Sequence, residues 1–253
     1  TMWVAATFFS GIVHSYSRRY MAGDADETRF FLLVLGFTVV VMGSIPVLLG
    51  LNYVYARLVE AVYSDIREAV GEDIRLMTDA NHAYDFATAR RVGEKLDDLG
   101  VYWFEEPVRP HAIDNYESLN SELDVPLAGG ECWAFEHEFA RVLDAKAVGI
   151  TQPDVTSAGG LTSTRRVATL SDAHNVQCVP HVFGSAIALG ASLQVLATVP
   201  GEPMLEFDRT PNPIREDLAV DPITNDGNSV PIPDAPGIGV EIDPDVLDSF
   251  RMD

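Results

Sequence analysis

The chain has 253 residues, enough for one large α/β domain or two small ones. Its 38 acidic and 17 basic residues give a formal net charge of −21, which argues against a nucleic-acid partner because carboxylates are repelled by phosphate backbones. The apolar content of 47% excludes wholesale disorder, and two cysteines cannot build a disulfide framework. We therefore expect a folded protein in a reducing, cytoplasmic environment.

The charge is unevenly distributed along the chain. Residues 1–56 are neutral, so the whole net charge lies in residues 57–253, and lysine occurs only at Lys95 and Lys146. An acidic, lysine-poor chain is typical of a halophile's protein, whose surface repulsion is relieved by salt. An ordinary acidic protein is the alternative.

The first predicted element is an apolar, membrane-type segment within residues 1–55. Residues 30–54 carry no charged side chain, and this length exceeds the ~20 residues that cross a bilayer. We expect a transmembrane-type helical segment that brings membrane contact through residues 30–54, and hence a membrane-associated chain as the alternative location. The other interpretation is a pair of buried strands broken by Gly36, Gly43 and Pro46.

Residues 56–208 show a regular alternation that predicts βα units and a parallel sheet. Helical spacing is clearest in residues 86–99 and 161–173. Short runs rich in β-branched and aromatic residues predict six strands, at residues 74–79, 101–106, 125–131, 147–154, 177–182 and 203–208. The predicted fold is α/β, an incomplete (β/α) barrel of the TIM type with about six units.

Each predicted strand ends on a residue that can do chemistry: Asp79, Glu105, Glu131, Asp154, His181 and Glu206. The successive gaps are 26, 26, 23, 27 and 25 residues. A barrel gathers all its strand ends on one face, whereas an open doubly wound sheet binds ligands only at its switch point. The spacing therefore favours a barrel with one active site.

Residues 209–253 lose this period and hold seven of the fifteen prolines. We predict a Pro-rich C-terminal tail that packs on another surface and adds no barrel unit.

The residue types at the strand ends suggest a division of labour. Asp79, Glu105 and Glu131 would repel one another unless a hard cation such as Mg²⁺ lay between them. Asp154 can orient His181 and raise its basicity, and a protonated Glu206 can donate a hydrogen bond to an oxyanion. This equipment suits removal of a proton next to a carboxylate.

Several short strings carry a family resemblance from about residue 55 onward. They are Thr78-Asp79-Ala80-Asn81, Trp103-Phe104-Glu105-Glu106-Pro107, Gly129-Gly130-Glu131, Gln152-Pro153-Asp154, Pro180-His181 and Leu205-Glu206-Phe207-Asp208. In this order they resemble the mandelate racemase/muconate lactonizing enzyme-like branch of the enolase superfamily. The resemblance implies that Asp79, Glu105 and Glu131 are the Mg²⁺ ligands, with Glu105 rather than Glu106 coordinating.

The resemblance also implies the catalytic roles. The pair Asp154–His181 is the expected base or acid, and Glu206 is its electrophilic partner. Asn81 and His82 are candidate substrate-binding residues, although a loop-surface role is the alternative for His82. Cys132, beside Glu131, is expected to serve as small apolar packing.

Two parts of the family pattern are missing from the sequence. The family's Lys-x-Lys motif is absent from the stretch that precedes residue 56, and the capping domain does not fit in the residues available. Residues 1–45 resemble instead a membrane subunit of the NADH dehydrogenase chain 5, antiporter-like type. We expect a junction between about residues 39 and 56, and an inactive, truncated fusion product is therefore one alternative.

The activity implied by the resemblance is Mg²⁺-dependent dehydration of a sugar acid to a 2-keto-3-deoxy acid. The expected partner is a small-molecule sugar acid or another α-hydroxy carboxylate, with a homo-oligomer as the expected assembly. A racemase or epimerase is the alternative within the superfamily. It would need a second base, which the missing lysine would have supplied.

Overall fold

The computed structural model describes residues 56–227 and 229–251. The membrane-type segment predicted within residues 1–55 lies outside this part of the chain. Among the described residues, no helix combines the length and apolarity that a bilayer crossing requires. The chain divides into two compact units, Thr1–Ala61 and Val62–Asp253, and the site lies in the second.

Five parallel strands form one sheet in which every strand pairs with the next one along the chain. They are β1 (Met77–Asp79), β2 (Trp103–Glu105), β3 (Leu127–Gly129), β4 (Ile150–Thr151) and β5 (Gln177–Cys178). A run of parallel neighbours in chain order is the arrangement of a (β/α) barrel. The predicted α/β class and parallel topology are therefore confirmed.

Helices connect the strands. Residues 56–70 are helical (α1), followed by α2 (Phe86–Asp98), α3 (Ile113–Glu122), α4 (Phe135–Asp144), α5 (Gly160–Ala173), α6 (Ala186–Leu196), α7 (Pro213–Glu216) and α8 (Pro244–Ser249). In α2 the side chain of Asp85 caps the first turn by accepting from the backbone N–H of Thr88, and Ala89, Val92 and Leu96 face the core. The helical spacing of residues 86–99 and 161–173 predicted α2 and α5 to within one residue at each end.

The sixth predicted strand is wrong. Residues 203–208 belong to no helix and to no strand of the sheet described here. Pro203 has no N–H to donate to a ladder. The short apolar run that suggested a strand has another cause, because Met204 packs on the core beneath the site while Leu205 and Phe207 pack against Val182 and α6.

The core beneath the site follows the two-residue period of the strands. Trp103, Ala128, Ile150 and Val179 form a buried cluster, joined by the half-buried Met77 and Met204. Side chains two positions apart on extended backbone point to the same side. Asp79, Glu105, Gln152, His181 and Glu206 each lie two residues after a member of this cluster, so the apolar core is the floor of the site.

The segment after residue 209 packs mainly on α6. Ile238 contacts the cluster of Val155, Ala191 and Val195, and the side chain of Gln194 donates to the carbonyl of Pro233 at 2.8 Å. Its two short helices and isolated bridges form no further βα unit within the described residues.

Candidate active site

The carboxyl ends of the strands bring the six predicted chemical residues into mutual electrostatic range. These residues are Asp79, Glu105, Glu131, Asp154, His181 and Glu206. Asp79 and Glu105 are opposite each other in the pairing of β1 with β2. The others lie on the loops after β3, β4 and β5 and on the segment at residue 206.

His181 is held between two carboxylates. Its Nδ1 lies 2.7 Å from Oδ2 of Asp154, and its Nε2 lies 2.9 Å from Oε2 of Glu131. Burial opposes a charge on the ring, but these two hydrogen bonds outweigh it and raise the pKa of His181 to about 10. The ring is therefore an imidazolium at neutral pH.

Both partners of His181 are ionised carboxylates. Burial would raise the pKa of Asp154, but the hydrogen bonds from His181 and Thr156 lower it. The backbone N–H of Thr156 donates to Oδ1 at 2.6 Å, which leaves Oδ2 for the histidine. The hydrogen bond with His181 likewise lowers the pKa of Glu131. Asp154 thus fixes which ring nitrogen faces the cavity, since Nδ1 is already engaged.

The remaining strand-end carboxylates are pushed toward protonation. Burial raises the pKa of Glu105 to about 7 despite the opposing effect of the nearby Gln152 amide, and Glu206 and Asp79 raise it further. Burial also raises the pKa of Asp79 and of Glu206. The Oε2 atom of Glu206 is buried and has no hydrogen-bond partner among the described residues. An uncompensated buried oxygen is costly, which suits a group that meets a ligand.

The carboxylate set fits a hard divalent cation. Asp79, Glu105 and Glu131 offer only oxygen donors. Burial and the neighbouring carboxylates both disfavour their negative charge, and a bound cation would offset both effects. Mg²⁺ prefers such ligands and keeps positions for water or substrate oxygens. Glu131 Oε2, however, lies against His181 in this arrangement.

A second group of donors lies beside the predicted one. Ligand atoms of His82, Glu106, Glu131 and Cys132 all lie within 4.8 Å of one another. Burial raises the pKa of Glu106 to about 8, with Glu131 and Asp79 adding to the effect. Of this group only Glu131 belongs to the predicted metal ligands. Glu105, the member of its pair expected to coordinate, lies outside it.

Cys132 departs from the expected apolar packing. Its side chain is exposed, and its Sγ lies 3.7 Å from Nε2 of His82 and 3.9 Å from Oε1 of Glu131. It follows Glu131 on the loop after β3, and the next residue of this loop, Trp133, is the one that is buried.

The positions of Asn81, His82 and Glu106 depend on an unusual backbone conformation. All three have positive φ, of 41°, 60° and 40°. The N–H of Asn81 donates to Oδ1 of Asp79 at 2.7 Å, and the N–H of His82 donates to the carbonyl of Glu106 at 2.8 Å. Asn81 thus orients a predicted metal ligand through its backbone, while His82 turns toward Glu106. Asparagine and histidine are enriched in this conformation but glutamate is not, so residue type gave no signal for the turn at Glu106.

Neither lysine lies at this face. Lys95 is in the last turn of α2, and Lys146 follows α4 directly before β4. Both positions are at the amino ends of the strands, whereas the site occupies the carboxyl ends.

Comparisons with known proteins find relatives for most of the chain. The family described as enolase C-terminal domain-like matches residues 52–246. The D-galactarolactone cycloisomerase of Agrobacterium fabrum is 41% identical over 199 residues, covering 76% of this chain and 53% of that protein. The arabinonate dehydratase of Saccharolobus solfataricus is 32% identical over 186 residues, covering 74% of this chain and 50% of that protein. The chain thus spans about half the length of these relatives.

A solved structure gives the same result. The crystal structure of the 3,6-anhydro-D-galactonate cycloisomerase from Zobellia galactanivorans superposes with a TM-score of 0.73 at 37% sequence identity, covering 77% of this chain and 55% of that one. At the other end, the N-terminal family of NADH-ubiquinone oxidoreductase (complex I) chain 5 matches residues 1–31. This match is shorter than the expected resemblance over residues 1–45.

Proposed function

The chain belongs to the enolase C-terminal domain-like family, and from that premise we propose that it acts on a sugar acid by removing the proton α to the carboxylate. The favoured outcome is dehydration to a 2-keto-3-deoxy acid. The observation that carries this proposal is the position of His181, whose Nδ1 is held by Asp154 beside a cluster of carboxylates. The relatives of this chain include sugar-acid dehydratases and cycloisomerases.

Asp79, Glu105 and Glu131 are the proposed ligands of Mg²⁺. When bound, Mg²⁺ would neutralise the substrate carboxylate and stabilise the negative charge that develops as the α-proton leaves. Asn81 supports this set through its backbone contact with Asp79.

His181 is the proposed proton carrier. Because Asp154 occupies Nδ1, Nε2 is the nitrogen that faces the substrate. For Nε2 to act, Glu131 must turn away from it and toward the other carboxylates. Without the hydrogen bond to Glu131, the pKa of His181 falls, which favours the neutral ring. The neutral ring then takes the α-proton, and the imidazolium returns it to the departing 3-hydroxyl, so that water leaves. One histidine therefore suffices for this elimination.

Glu206 is the proposed hydrogen-bond donor to the developing oxyanion. Burial raises the pKa of its carboxyl, and its Oε2 has no partner among the described residues. A protonated carboxyl in this position would strengthen its hydrogen bond as charge accumulates on the substrate.

Cycloisomerisation is a second candidate, favoured by the identities of 41% and 37% to two cycloisomerases. It would use the same α-proton removal, but a ring oxygen of the substrate would leave in place of hydroxide. Racemisation or epimerisation has less support, because it needs a base on the opposite side and both lysines lie at the other end of the strands. A chain without the Lys-x-Lys base that turns over no acid is the remaining alternative.

The test is turnover by the full chain with Mg²⁺ on a panel of aldonic and aldaric acids and their lactones, followed by NMR. We expect 2-keto-3-deoxy products, and His181→Ala should lower turnover by ~10²–10⁴-fold while calorimetry shows that Mg²⁺ still binds. His111→Ala, at an exposed histidine, is the matched control and should retain turnover. Equal turnover in His181→Ala would remove the histidine from the mechanism. An inactive wild-type chain would support the alternative that the chain is an inactive, truncated fusion product.

A further inference from the structure

Four donors outside the expected magnesium set converge at the edge of the site. His82 comes from the loop after β1, Glu106 from the end of β2, and Glu131 with Cys132 from the loop after β3. One imidazole, one thiol and two carboxylates are a mixed set. Mg²⁺ does not select such a set, because it prefers oxygen ligands and gains little from sulfur.

The distances among three of these donors match the ligand shell of a tetrahedral cation. Sγ of Cys132 lies 3.7 Å from Nε2 of His82 and 3.9 Å from Oε1 of Glu131. Around tetrahedral Zn²⁺, with bonds of about 2.0 Å to nitrogen or oxygen and 2.3 Å to sulfur, neighbouring ligand atoms are about 3.5 Å apart. Both measured distances from the Cys132 sulfur are therefore within a few tenths of an ångström of the spacing that one shared ion requires.

Glu106 lies behind His82. Its Oε2 is 2.9 Å from Nδ1 of His82, and its side chain is only 2% exposed. Neither atom has a hydrogen-bond partner among the described residues, so they are close but misaligned. A ligating histidine usually gives its second N–H to a carboxylate, and Glu106 is placed to accept it once the ring turns toward a cation.

We propose that His82, Glu131 and Cys132, with Glu106 behind the histidine, form a second cation site that takes a borderline-soft divalent metal such as Zn²⁺ or Co²⁺. This inference goes beyond the proposed function, and its test does not depend on turnover. The two sites share Glu131, so an ion held by Cys132 competes with Mg²⁺ for that carboxylate. Zn²⁺ bound there therefore weakens Mg²⁺ binding.

Cobalt reports the thiolate directly. The metal-free full chain is titrated with Co²⁺, and the near-ultraviolet absorption band of a thiolate–cobalt bond is recorded. We expect one equivalent to bind with this band, Cys132→Ser to abolish it, and His82→Gln to weaken Co²⁺ binding by at least the ~10–100-fold that loss of a partner behind a ligand costs. Cys178→Ala is the matched control and should keep the band, because Cys178 is buried on β5.

A second measurement needs no variant. Zn²⁺ should slow alkylation of Cys132 in the wild-type chain at least 10-fold, as followed by mass spectrometry, and excess Mg²⁺ should partly restore the rate. The proposal is overturned if Co²⁺ gives no thiolate band with the wild-type chain, if the band survives Cys132→Ser, or if Zn²⁺ leaves the alkylation rate unchanged.

Discussion

At the scale of single residues, His181 owes its charge to two neighbours, Asp154 and Glu131. Removing one negative partner therefore lowers the pKa of His181. Because the pKa in the folded protein, about 10, lies above the ordinary value of 6.5, the stabilisation from this charge is complete below about pH 6.5. It is lost as the pH rises through 10.

Asp154→Asn tests this account in the metal-free protein. We expect the NMR titration midpoint of His181 to fall below that of the wild-type protein, and the stability gained between alkaline and neutral pH to shrink. Asp144→Asn, which removes a carboxylate contacting His174 instead, is the control. An unshifted His181 titration in Asp154→Asn would mean that Glu131 alone sets its pKa.

A second pair of charged residues lies away from the strand ends. Nη1 of the buried Arg215 lies 2.5 Å from Oδ2 of Asp208, while Nη2 of the same arginine donates to the carbonyl of Thr210. Burial would raise the pKa of Asp208, but hydrogen bonds from Thr210 and Arg215 lower it. The pair therefore stabilises the fold above the ordinary carboxyl pKa, and this contribution disappears as the pH falls through the lowered pKa.

Asp208→Asn should cost about 1.5–3 kcal/mol of unfolding free energy at neutral pH, because a charged hydrogen-bond partner of a buried guanidinium is lost. The difference from the wild-type protein should vanish in acid. Urea unfolding at several pH values measures both. Asp248→Asn, whose pair with Arg251 is exposed on both sides, should change stability by less than about 0.5 kcal/mol. Equal losses in the two variants would contradict the role assigned to Arg215.

At the scale of elements, β3 and β4 approach each other closely where the site begins. Gly130 follows β3 with a φ of 148°, and a Cβ atom there would lie 2.8 Å from three backbone atoms of Gln152. The neighbouring backbone cannot move without disturbing the sheet. This close approach positions both Glu131 and the loop that carries Asp154.

Gly130→Ala should therefore destabilise the fold by about 2–5 kcal/mol through backbone strain and overlap. Gly100→Ala is the matched control, because its φ of 60° is also positive but no atom lies within 4 Å of the added carbon. It should cost about 1–2 kcal/mol. Thermal unfolding compares the two, and losses of equal size would show that the approach to Gln152 is not tight.

At the same scale, the sequence predicted most of the strands and their polar end residues, but not every contact between loops. The period of polar residues at strand ends predicted which side chains meet, because in a barrel every parallel strand ends on the same face. The prediction of the sixth strand was wrong because a short apolar run indicates burial but not pairing with a neighbouring strand, as Met204 and Leu205 show. His82 and Cys132 were missed as a group because their approach depends on left-handed backbone at residues 81, 82 and 106.

At the scale of the whole molecule, the net charge of −21 sets the response to salt. Acidic side chains on the protein surface repel one another, and salt shortens the range of that repulsion from ~10 Å at 0.1 M to ~3 Å at 1 M. We expect the unfolding temperature to rise as KCl increases over this range, measured by circular dichroism. Sucrose at matched viscosity is the control. A flat or falling unfolding temperature would favour the ordinary acidic protein over the halophilic one.

The pairing of each strand with its chain neighbour has a consequence for biosynthesis. Asp79, Glu105 and Glu131 belong to the first three βα units, whereas His181 lies 50 residues beyond Glu131. During translation the first three strands can pair before the ribosome has made the fifth. The nascent chain thus gathers the three proposed cation ligands before it makes the proposed proton carrier, and Glu206 is made later still.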